Sequence, residues 1–144
     1  MAEARFDPRN CVCAGLRKAS RAVTQLYDDE LRPSGMRSTQ FNILSTIRAM
    51  GAANLTQLEA FLLLEQTTLT RSLVLMERKG WIERVPVPDG RKKTLRLTER
   101  GARLVDNATP LWQRAQEKMT QPPLDEKWAV LQQTLTALIE AAGA

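Results

Sequence analysis

The sequence predicts a mainly α-helical domain with one small β-hairpin and additional helices at both ends of the chain. Apolar residues recur at helical spacing over most of the 144 residues. The spacing changes to alternation only near residues 81–98, around an Asp-Gly turn signal. The apolar stripes nearest the two ends are larger than a small domain needs for its own core, which indicates that a second copy covers them.

The first two helices are predicted over residues 10–31 and from Ser38 to about Gly51. Pro33 and Gly35 end the first helix, and Ser38 is the predicted N-cap of the second. Each helix therefore has one side that faces a core. The apolar residues on these sides are Val12, Leu16, Ala19, Val23, Leu26, Phe41, Leu44 and Ile47.

The next segment has the pattern of a helix-turn-helix. Residues 56–59 (Thr-Gln-Leu-Glu) are typical of a capping box and open a short helix. A turn at residues 63–65 leads into a second helix, Gln66 to Lys79, which Gly80 ends.

A two-stranded hairpin follows. Residues 81–85 are apolar and β-branched enough for a strand, and residues 94–98 alternate strictly. The connecting residues 86–93 contain two prolines, the Asp-Gly signal and three consecutive basic residues. A helix-turn-helix followed by a basic hairpin predicts a winged helix-turn-helix over residues 38–98.

Two further helices are predicted after the hairpin. Thr98 caps a helix that runs to about Thr120, in which Pro110 should introduce a kink near Asp106. Asp125 is the predicted N-cap of the last helix.

Residues 10–32 and 99–142 are the predicted dimerisation helices on either side of the winged part, and all of them belong to one domain, residues 1–144. The candidate dimer contacts are Val12, Leu16, Trp128, Leu131, Leu135 and Leu138.

Composition argues against several classes of protein. The chain contains no histidine, the commonest general base and metal ligand, and two cysteines alone make a poor zinc site. It carries no nucleophile elbow, zinc-protease, P-loop or dinucleotide-binding motif. These observations disfavour an enzyme and a metal sensor, so we expect neither a cofactor nor a metal.

No apolar run approaches the roughly 20 residues that cross a bilayer, so no membrane partner is expected. The first ten residues lack the apolar core of a secretory signal. Cys11 and Cys13 are too close together for a useful disulfide framework. We therefore expect a cytoplasmic protein.

Basic charge is concentrated in the winged segment. The formal net charge is +5, and residues 65–100 hold nine Lys or Arg but only five acidic residues. Most of the net charge therefore lies in a quarter of the chain. Such an excess is typical of a protein with a polyanionic partner, although a solvated surface has the same composition.

A helical wheel divides the helix Gln66 to Lys79 into two faces. Leu69, Leu73 and Met76 fall on the side that should be buried. The opposite side suits the major groove of DNA, where Arg binds guanine and Thr contacts bases or a thymine methyl. Its residues are Thr67, Thr70, Arg71, Val74 and Arg78.

The hairpin tip holds further candidates for DNA contact. Arg91, Lys92 and Lys93 form a cationic finger that can reach the minor groove, where the potential is most negative. Asp89 lies two residues before Arg91 and can orient its guanidinium. An ordinary solvated loop is the alternative.

The hairpin and the segment after it resemble the MarR family of winged-helix repressors. Residues 89–91 (Asp-Gly-Arg) match the family's Asp-x-Arg wing, and residues 97–101 (Leu-Thr-Glu-Arg-Gly) match its Leu-Thr-x-x-Gly pattern. The stretches 65–80 and 16–41 are also similar to family members. The resemblance therefore covers nearly the whole chain.

The resemblance implies a homodimer that binds double-stranded DNA at a palindromic operator. It also implies release from DNA when a small phenolic or other aromatic effector, or an oxidant, arrives. It places the first turns of the recognition helix in the major groove and Arg91 in the minor groove. The candidate DNA contacts are then Gln66, Thr67, Thr68, Thr70, Arg71, Arg78, Asp89, Arg91, Lys92 and Lys93. The candidate residues of the effector pocket are Arg17, Arg21, Phe41 and Trp112.

Cys13 resembles, by position, the reactive cysteine of the family's organic-hydroperoxide sensors, and Tyr27 stands where those sensors have a tyrosine. However, Ser38 occupies the place of their second tyrosine. Cys13 and Tyr27 are also about 21 Å apart along one helix, so any contact between them would cross a dimer. A redox centre and a small structural residue are both open interpretations of Cys13.

The leading hypothesis is therefore a sequence-specific DNA-binding transcriptional regulator, a repressor released by a small-molecule ligand. A winged helix used for protein contacts alone is the competing hypothesis, and an enzyme is the third. A salt-dependent shift with duplex DNA separates the first two.

Overall fold

The computed structural model describes residues 7–86 and 93–144. The mainly helical fold, the helix-turn-helix and the hairpin are confirmed. In chain order the helices and strands of these residues are α1 (Val12–Leu31), α2 (Ser38–Met50), β1 (Ala53–Asn54), α3 (Leu55–Leu62), α4 (Gln66–Arg78), β2 (Ile82–Val85), β3 (Thr94–Leu97), α5 (Glu99–Thr120) and α6 (Trp128–Ala141).

The three strands form one antiparallel sheet in the order β1-β3-β2. β2 and β3 are the predicted hairpin, with Arg84 opposite Leu95. On the other edge of β3, Ala53 of β1 also pairs with Leu95. β1 was not predicted, because two residues are too few to display an alternating pattern.

The hydrophobic core lies between α2, the helix-turn-helix and the sheet, and it decides which face of α4 is exposed. Leu69, Leu73 and Met76 of α4 are buried there, as predicted. Because the core draws on α2, α3, α4, β3 and α5, the winged part is one packed unit. Its other fully buried large side chains are Leu31, Ile43, Leu44, Ile47, Leu58, Leu95 and Val105.

The predicted N-cap of α2 is wrong. α2 begins at Ser38, and the preceding Arg37 donates its N–H to the side chain of Gln40 at 2.9 Å. Ser38 instead donates its backbone N–H to the carboxylate of Asp28 on α1, at 2.7 Å. The N-cap is therefore Arg37, and Ser38 joins the start of α2 to α1.

The capping box of α3 lies two residues earlier than predicted. Asn54 Oδ1 accepts from the N–H of Gln57, and Gln57 Oε1 accepts from the N–H of Asn54, both at 2.9 Å. Asn is at least as good an N-cap as Thr, and it is the last residue of β1, so the helix begins there.

The predicted cap of the last helix is also wrong. Asp125 lies inside a short 3-10 turn, Asp125–Lys127, and α6 begins after Lys127 without a side-chain cap. The residues after the two prolines turn once before they enter the helix, which moves its start beyond Asp125.

The Leu-Thr-x-x-Gly segment joins the hairpin to α5. Thr98 is the N-cap of α5, as predicted, because its hydroxyl accepts from the N–H of Gly101 at 3.0 Å. The same hydroxyl donates to the carbonyl of Gly80 at 2.6 Å, and the Thr98 N–H donates to the carbonyl of Trp81 at 3.0 Å. These bonds fix the start of α5 against the turn that follows α4.

α5 is one helix across Pro110, and the kink near Asp106 stays a prediction. The helix packs against α1 and α2 through both polar and aromatic contacts. Arg48 on α2 forms an ion pair with Asp106 at 2.6 Å. Phe41 stacks on Trp112 with ring centroids 6.2 Å apart. α6 differs from α5 in that it contains no buried residue.

Candidate nucleic-acid interface

α4 presents a polar and basic face to solvent. Its three predicted apolar residues are buried in the core and the opposite side is exposed, so the buried face predicted by the helical wheel is confirmed. This exposed side is the one predicted to contact DNA. Its exposed residues are Gln66, Thr67, Thr68, Thr70, Arg71, Val74 and Arg78.

The N-terminus of α4 is open. Its N-cap, Glu65, has extended backbone geometry and makes no side-chain cap hydrogen bond with any described residue. The amides of the first turn consequently carry the partial positive charge of the helix dipole towards solvent. With Arg71 exposed on the next turn, this end of α4 has the chemistry of an anion-binding surface.

A tight turn sets how α4 leaves α3. Leu63 ends α3 in the left-handed conformation, with φ 51°, and its N–H donates to the carbonyl of Glu59 at 2.9 Å. For a residue with a Cβ this conformation costs roughly 1–2 kcal/mol. Packing of α3 and α4 on the core offsets that cost, and the chain reverses within residues 63–65.

The base of the hairpin carries two kinds of ion pair. Glu83 on β2 accepts from Arg96, its register partner on β3, at 2.9 Å. Glu77 on α4 accepts from Lys93 Nζ at 2.7 Å and lies 3.5 Å from Arg84 Nε. We refer to Glu77, Arg84 and Lys93 as the Glu77 cluster. The first pair joins two strands, whereas the Glu77 cluster joins the hairpin to α4.

Glu77 is ionised at neutral pH. Partial burial raises its pKa, but the hydrogen bond and charge of Lys93 and the charge of Arg84 outweigh burial. The pKa of Glu77 therefore lies below its ordinary value of 4.5. Lys93, a predicted DNA contact, thus has an acidic partner within the chain. Spacing could not indicate this pair, because the two residues are 16 positions apart.

The other predicted contacts of the wing, Asp89, Arg91 and Lys92, lie outside the described residues. The orienting role of Asp89 therefore stays a prediction. The residues that flank this segment, Pro86 and Lys93, are both exposed.

Apolar side chains of α1 and α6 lie uncovered by the described part of the chain. Val12 is 61% exposed and Leu135 is 37% exposed, while Trp128 and Leu138 are half-buried. The exposed apolar residues of these two helices are Val12, Leu16, Val23, Val130, Leu131, Leu135 and Ile139. Cys13 is exposed on α1 and Cys11 partly so, and neither is in a disulfide.

A cavity of about 460 Å³ lies between α1, α2 and α5. Phe41 and Trp112, two of the predicted pocket residues, line it together with Tyr27 and Ser45. Tyr27 donates its hydroxyl to Gln116 Oε1 at 2.6 Å, and burial raises the pKa of Tyr27.

Arg17 and Arg21, the other predicted pocket residues, line a separate cleft beside Leu16 and Ser20. The single chain therefore does not bring the four candidates together, because Phe41 and Trp112 do not line the cleft of Arg17 and Arg21. Tyr27 and Ser45 were not predicted as lining residues. Tyr27 lies on the same face of α1 as the apolar residues, and this position in the sequence could have indicated that it lines the cavity.

Comparison with known proteins adds to this geometry. A family model described as the MarR family matches residues 36–94, from the start of α2 to the start of β3. The crystal structure of the Mycobacterium tuberculosis transcriptional regulator MosR in complex with DNA is 35% identical, with a TM-score of 0.73, over 90% of this chain and 98% of that chain. The chain belongs to the MarR family.

Two further proteins show how much of the chain is similar to known MarR proteins. The multiple antibiotic resistance protein MarR of Salmonella typhimurium is 35% identical over 57% of this chain and 58% of its own length. A mutant of MarR from Escherichia coli complexed with operator DNA has a TM-score of 0.78 at 26% identity, over 85% of this chain and 89% of that chain. The chain spans 58–61% of the length of the curated relatives that it matches.

The described residues 7–86 and 93–144 include no helix that is both long and apolar enough to span a bilayer. The same residues bring together no group of three acidic or cysteine side chains that could hold a metal ion.

Proposed function

We propose that this MarR-family protein is a sequence-specific transcriptional regulator that binds double-stranded DNA through α4 and the hairpin. The exposed Thr and Arg face of α4 carries the proposal, because it combines base-reading side chains with an open helix N-terminus. Two of the similar structures, MosR and the MarR mutant, are complexes with DNA.

The proposed regulator is a homodimer that acts on a palindromic operator. The support is the uncovered apolar surface of α1 and α6, which a second copy would bury. A two-fold dimer presents two α4 helices, so its half-sites lie about one turn of DNA, or a multiple of it, apart. We propose repression in the cytoplasm as the mode of action.

The test is selection from a pool of random duplexes of about three helical turns. Wild type should enrich an inverted repeat, and binding should weaken steeply as salt rises. A protein that enriches no sequence, and binds every duplex alike, would contradict specific recognition. A protein that binds no duplex at all would leave the winged helix as a surface for protein contacts, the competing hypothesis. An enzyme would need catalytic groups, and the proposed site consists of hydroxyls and cations suited to binding.

We further propose that a small aromatic effector binds the cavity between α1, α2 and α5. The stacked Phe41 and Trp112 provide an aromatic wall, and Ser45 Oγ is buried there without a hydrogen-bond partner among the described residues. Phenol and benzoate are the first probes. They should release the selected duplex from wild type but not from Ser45→Leu, which places a bulky apolar side chain in the cavity and removes the Ser45 hydroxyl. Equal release from both proteins would place the effector elsewhere, the cleft of Arg17 and Arg21 being the next candidate.

A further inference from the structure

We propose that Glu77 is a positioning residue for operator selectivity: by bridging α4 to both strands of the hairpin, it holds the two proposed DNA-contacting elements at one relative angle. The inference rests on the proposed function and deepens it. Glu77 lies on the last turn of α4, where its side chain meets the hairpin rather than the predicted DNA-facing side.

Glu77 uses a separate oxygen for each strand. Its Oε2 accepts from Lys93, which directly precedes β3, while its Oε1 faces Arg84 of β2. Both strands are therefore attached to α4 at the same time. Among the described residues, both ion pairs that join α4 to the hairpin belong to Glu77.

The environment of Glu77 strengthens its pair with Lys93, whereas Arg84 is 70% exposed. The Glu77 side chain is only 21% exposed, and that of Lys93 is 35% exposed. Ion pairs that are partly shielded from water are screened less by salt than fully exposed ones. The link should therefore persist at the ionic strength at which DNA is bound.

The Glu77 cluster lies where it can set the angle between α4 and the hairpin. At its beginning, β2 is fixed by buried Trp81 and Ile82, and the Trp81 N–H donates to the carbonyl of Met76 at 2.9 Å. The Glu77 cluster acts further along, at Arg84 and Lys93, next to the segment that bears the basic tip. Without it, the described residues keep no ion pair between α4 and the hairpin, and β3 is held by its pairing with β1 and by buried Leu95.

An acidic residue beside a DNA-binding surface also opposes binding to any duplex, because it neutralises Lys93 and repels phosphate. Glu77 should therefore lower affinity for unrelated DNA while it raises the preference for the operator. A residue that merely supported the fold would change both affinities by the same factor.

The experiment measures affinity for the duplex selected by wild type and for a scrambled duplex of equal length, over a series of salt concentrations. The variants are Glu77→Gln, Lys93→Gln and the double variant. Glu83→Gln is the matched control. Like Glu77→Gln it removes one negative charge near the proposed DNA-binding surface, but it breaks only the strand-to-strand pair with Arg96. Thermal unfolding of each variant monitors the fold.

We expect Glu77→Gln to reduce the operator-to-scrambled affinity ratio by about tenfold, and Lys93→Gln to reduce it similarly. The double variant should lose no more than Glu77→Gln alone, because Glu77→Gln already removes both ion pairs. Glu83→Gln should retain the wild-type ratio. Glu77→Gln should also steepen the dependence of log K on log salt by up to about 0.9, because Lys93 becomes free to neutralise a phosphate.

An unchanged ratio in Glu77→Gln, or an equal loss in Glu83→Gln, would overturn the positioning role. If Glu77→Gln unfolds, Lys93→Gln decides instead, because an exposed lysine can be replaced without disturbing the core. Failure of the proposed function is distinct, since wild type would then select no sequence at all.

Discussion

The carbonyl oxygen of Trp81 occupies the space that a side chain on Gly101 would need: an ideal Cβ at Gly101 lies 1.9 Å from that oxygen. The contact joins the first turn of α5 to the turn between α4 and β2. Thr98 completes the junction with hydrogen bonds to Gly80 and Gly101. The Leu-Thr-x-x-Gly pattern is thus the junction between the winged part and the helix that packs against α1.

Gly101→Ala should destabilise the protein by about 3 kcal/mol, the upper end for overpacking, because backbone atoms must move to admit the methyl group. Gly15→Ala on α1 is the control. An ideal Cβ at Gly15 meets nothing within 4 Å among residues 7–86 and 93–144, and Ala favours the helix by up to about 1 kcal/mol. Chemical unfolding measures both changes. A Gly101→Ala protein as stable as wild type would show that the junction relaxes freely.

The elements that the sequence predicted well are those with a long, regular pattern. α4 was placed within one residue because three apolar residues and a terminal glycine define it. Its buried face followed from the wheel. β1 and the caps of α2 and α3 were missed because they depend on tertiary partners, whereas the local cap Thr98 was predicted. Ser38 binds Asp28 across two helices, and Asn54 caps α3 because a strand ends there.

Leu135→Asp should separate the proposed dimer. A carboxylate in a buried apolar interface costs several kcal/mol, so the dissociation constant should rise by at least about a hundredfold. Thr136→Asp is the control, since it places the same charge at an exposed polar position of α6. Light scattering at micromolar concentration should give twice the chain mass for wild type and Thr136→Asp. A monomeric wild type would remove the proposed architecture.

Arg71→Ala should weaken binding to the selected operator by about 1–3 kcal/mol if this side chain reads a base. Binding to a scrambled duplex should change less. Arg114→Ala removes the same charge from the exposed side of α5 and should leave the ratio of the two affinities unchanged. Equal losses on both duplexes for Arg71→Ala would assign this residue to the phosphate backbone.

The residues of the candidate site could be predicted from the sequence where they lie on one helix. They could not be predicted where distant segments of the chain meet. The outward residues of α4 followed from local spacing. The Glu77 cluster joins residues 77, 84 and 93, and the cavity joins Tyr27 to Trp112, so neither has a local signature. Lys93 was predicted as a cation of the wing, but its internal partner required the packing of the hairpin on α4.

The Glu77 cluster should make stability depend on pH in a defined window. Because the pKa of Glu77 is lower in the folded state than its ordinary 4.5, its contribution is fully present above that value. The contribution is lost as pH falls through the lower, folded pKa. The difference in unfolding free energy between wild type and Glu77→Gln should therefore be constant near neutral pH and shrink below about 4.5. A difference that stays constant down to about pH 3 would show that Glu77 gains nothing from its cations.

Lys93 should contribute less to the salt dependence of DNA binding than a free cation does. Each phosphate that a protein neutralises adds roughly −0.9 to the slope of log K against log salt. Lys93 already donates to Glu77 at 2.7 Å, so its charge is largely compensated before DNA arrives. Lys93→Ala should flatten the wild-type slope by clearly less than about 0.9.

The same substitution in the Glu77→Gln background supplies the internal comparison. With the carboxylate gone, Lys93 is available to phosphate, and its removal should flatten the slope by the full value of about 0.9. Salt titrations of the four proteins on one duplex measure both differences. If Lys93→Ala flattens the slope equally in the two backgrounds, then phosphate displaces Glu77 from Lys93 when DNA binds, and the ion pair belongs to the free protein alone.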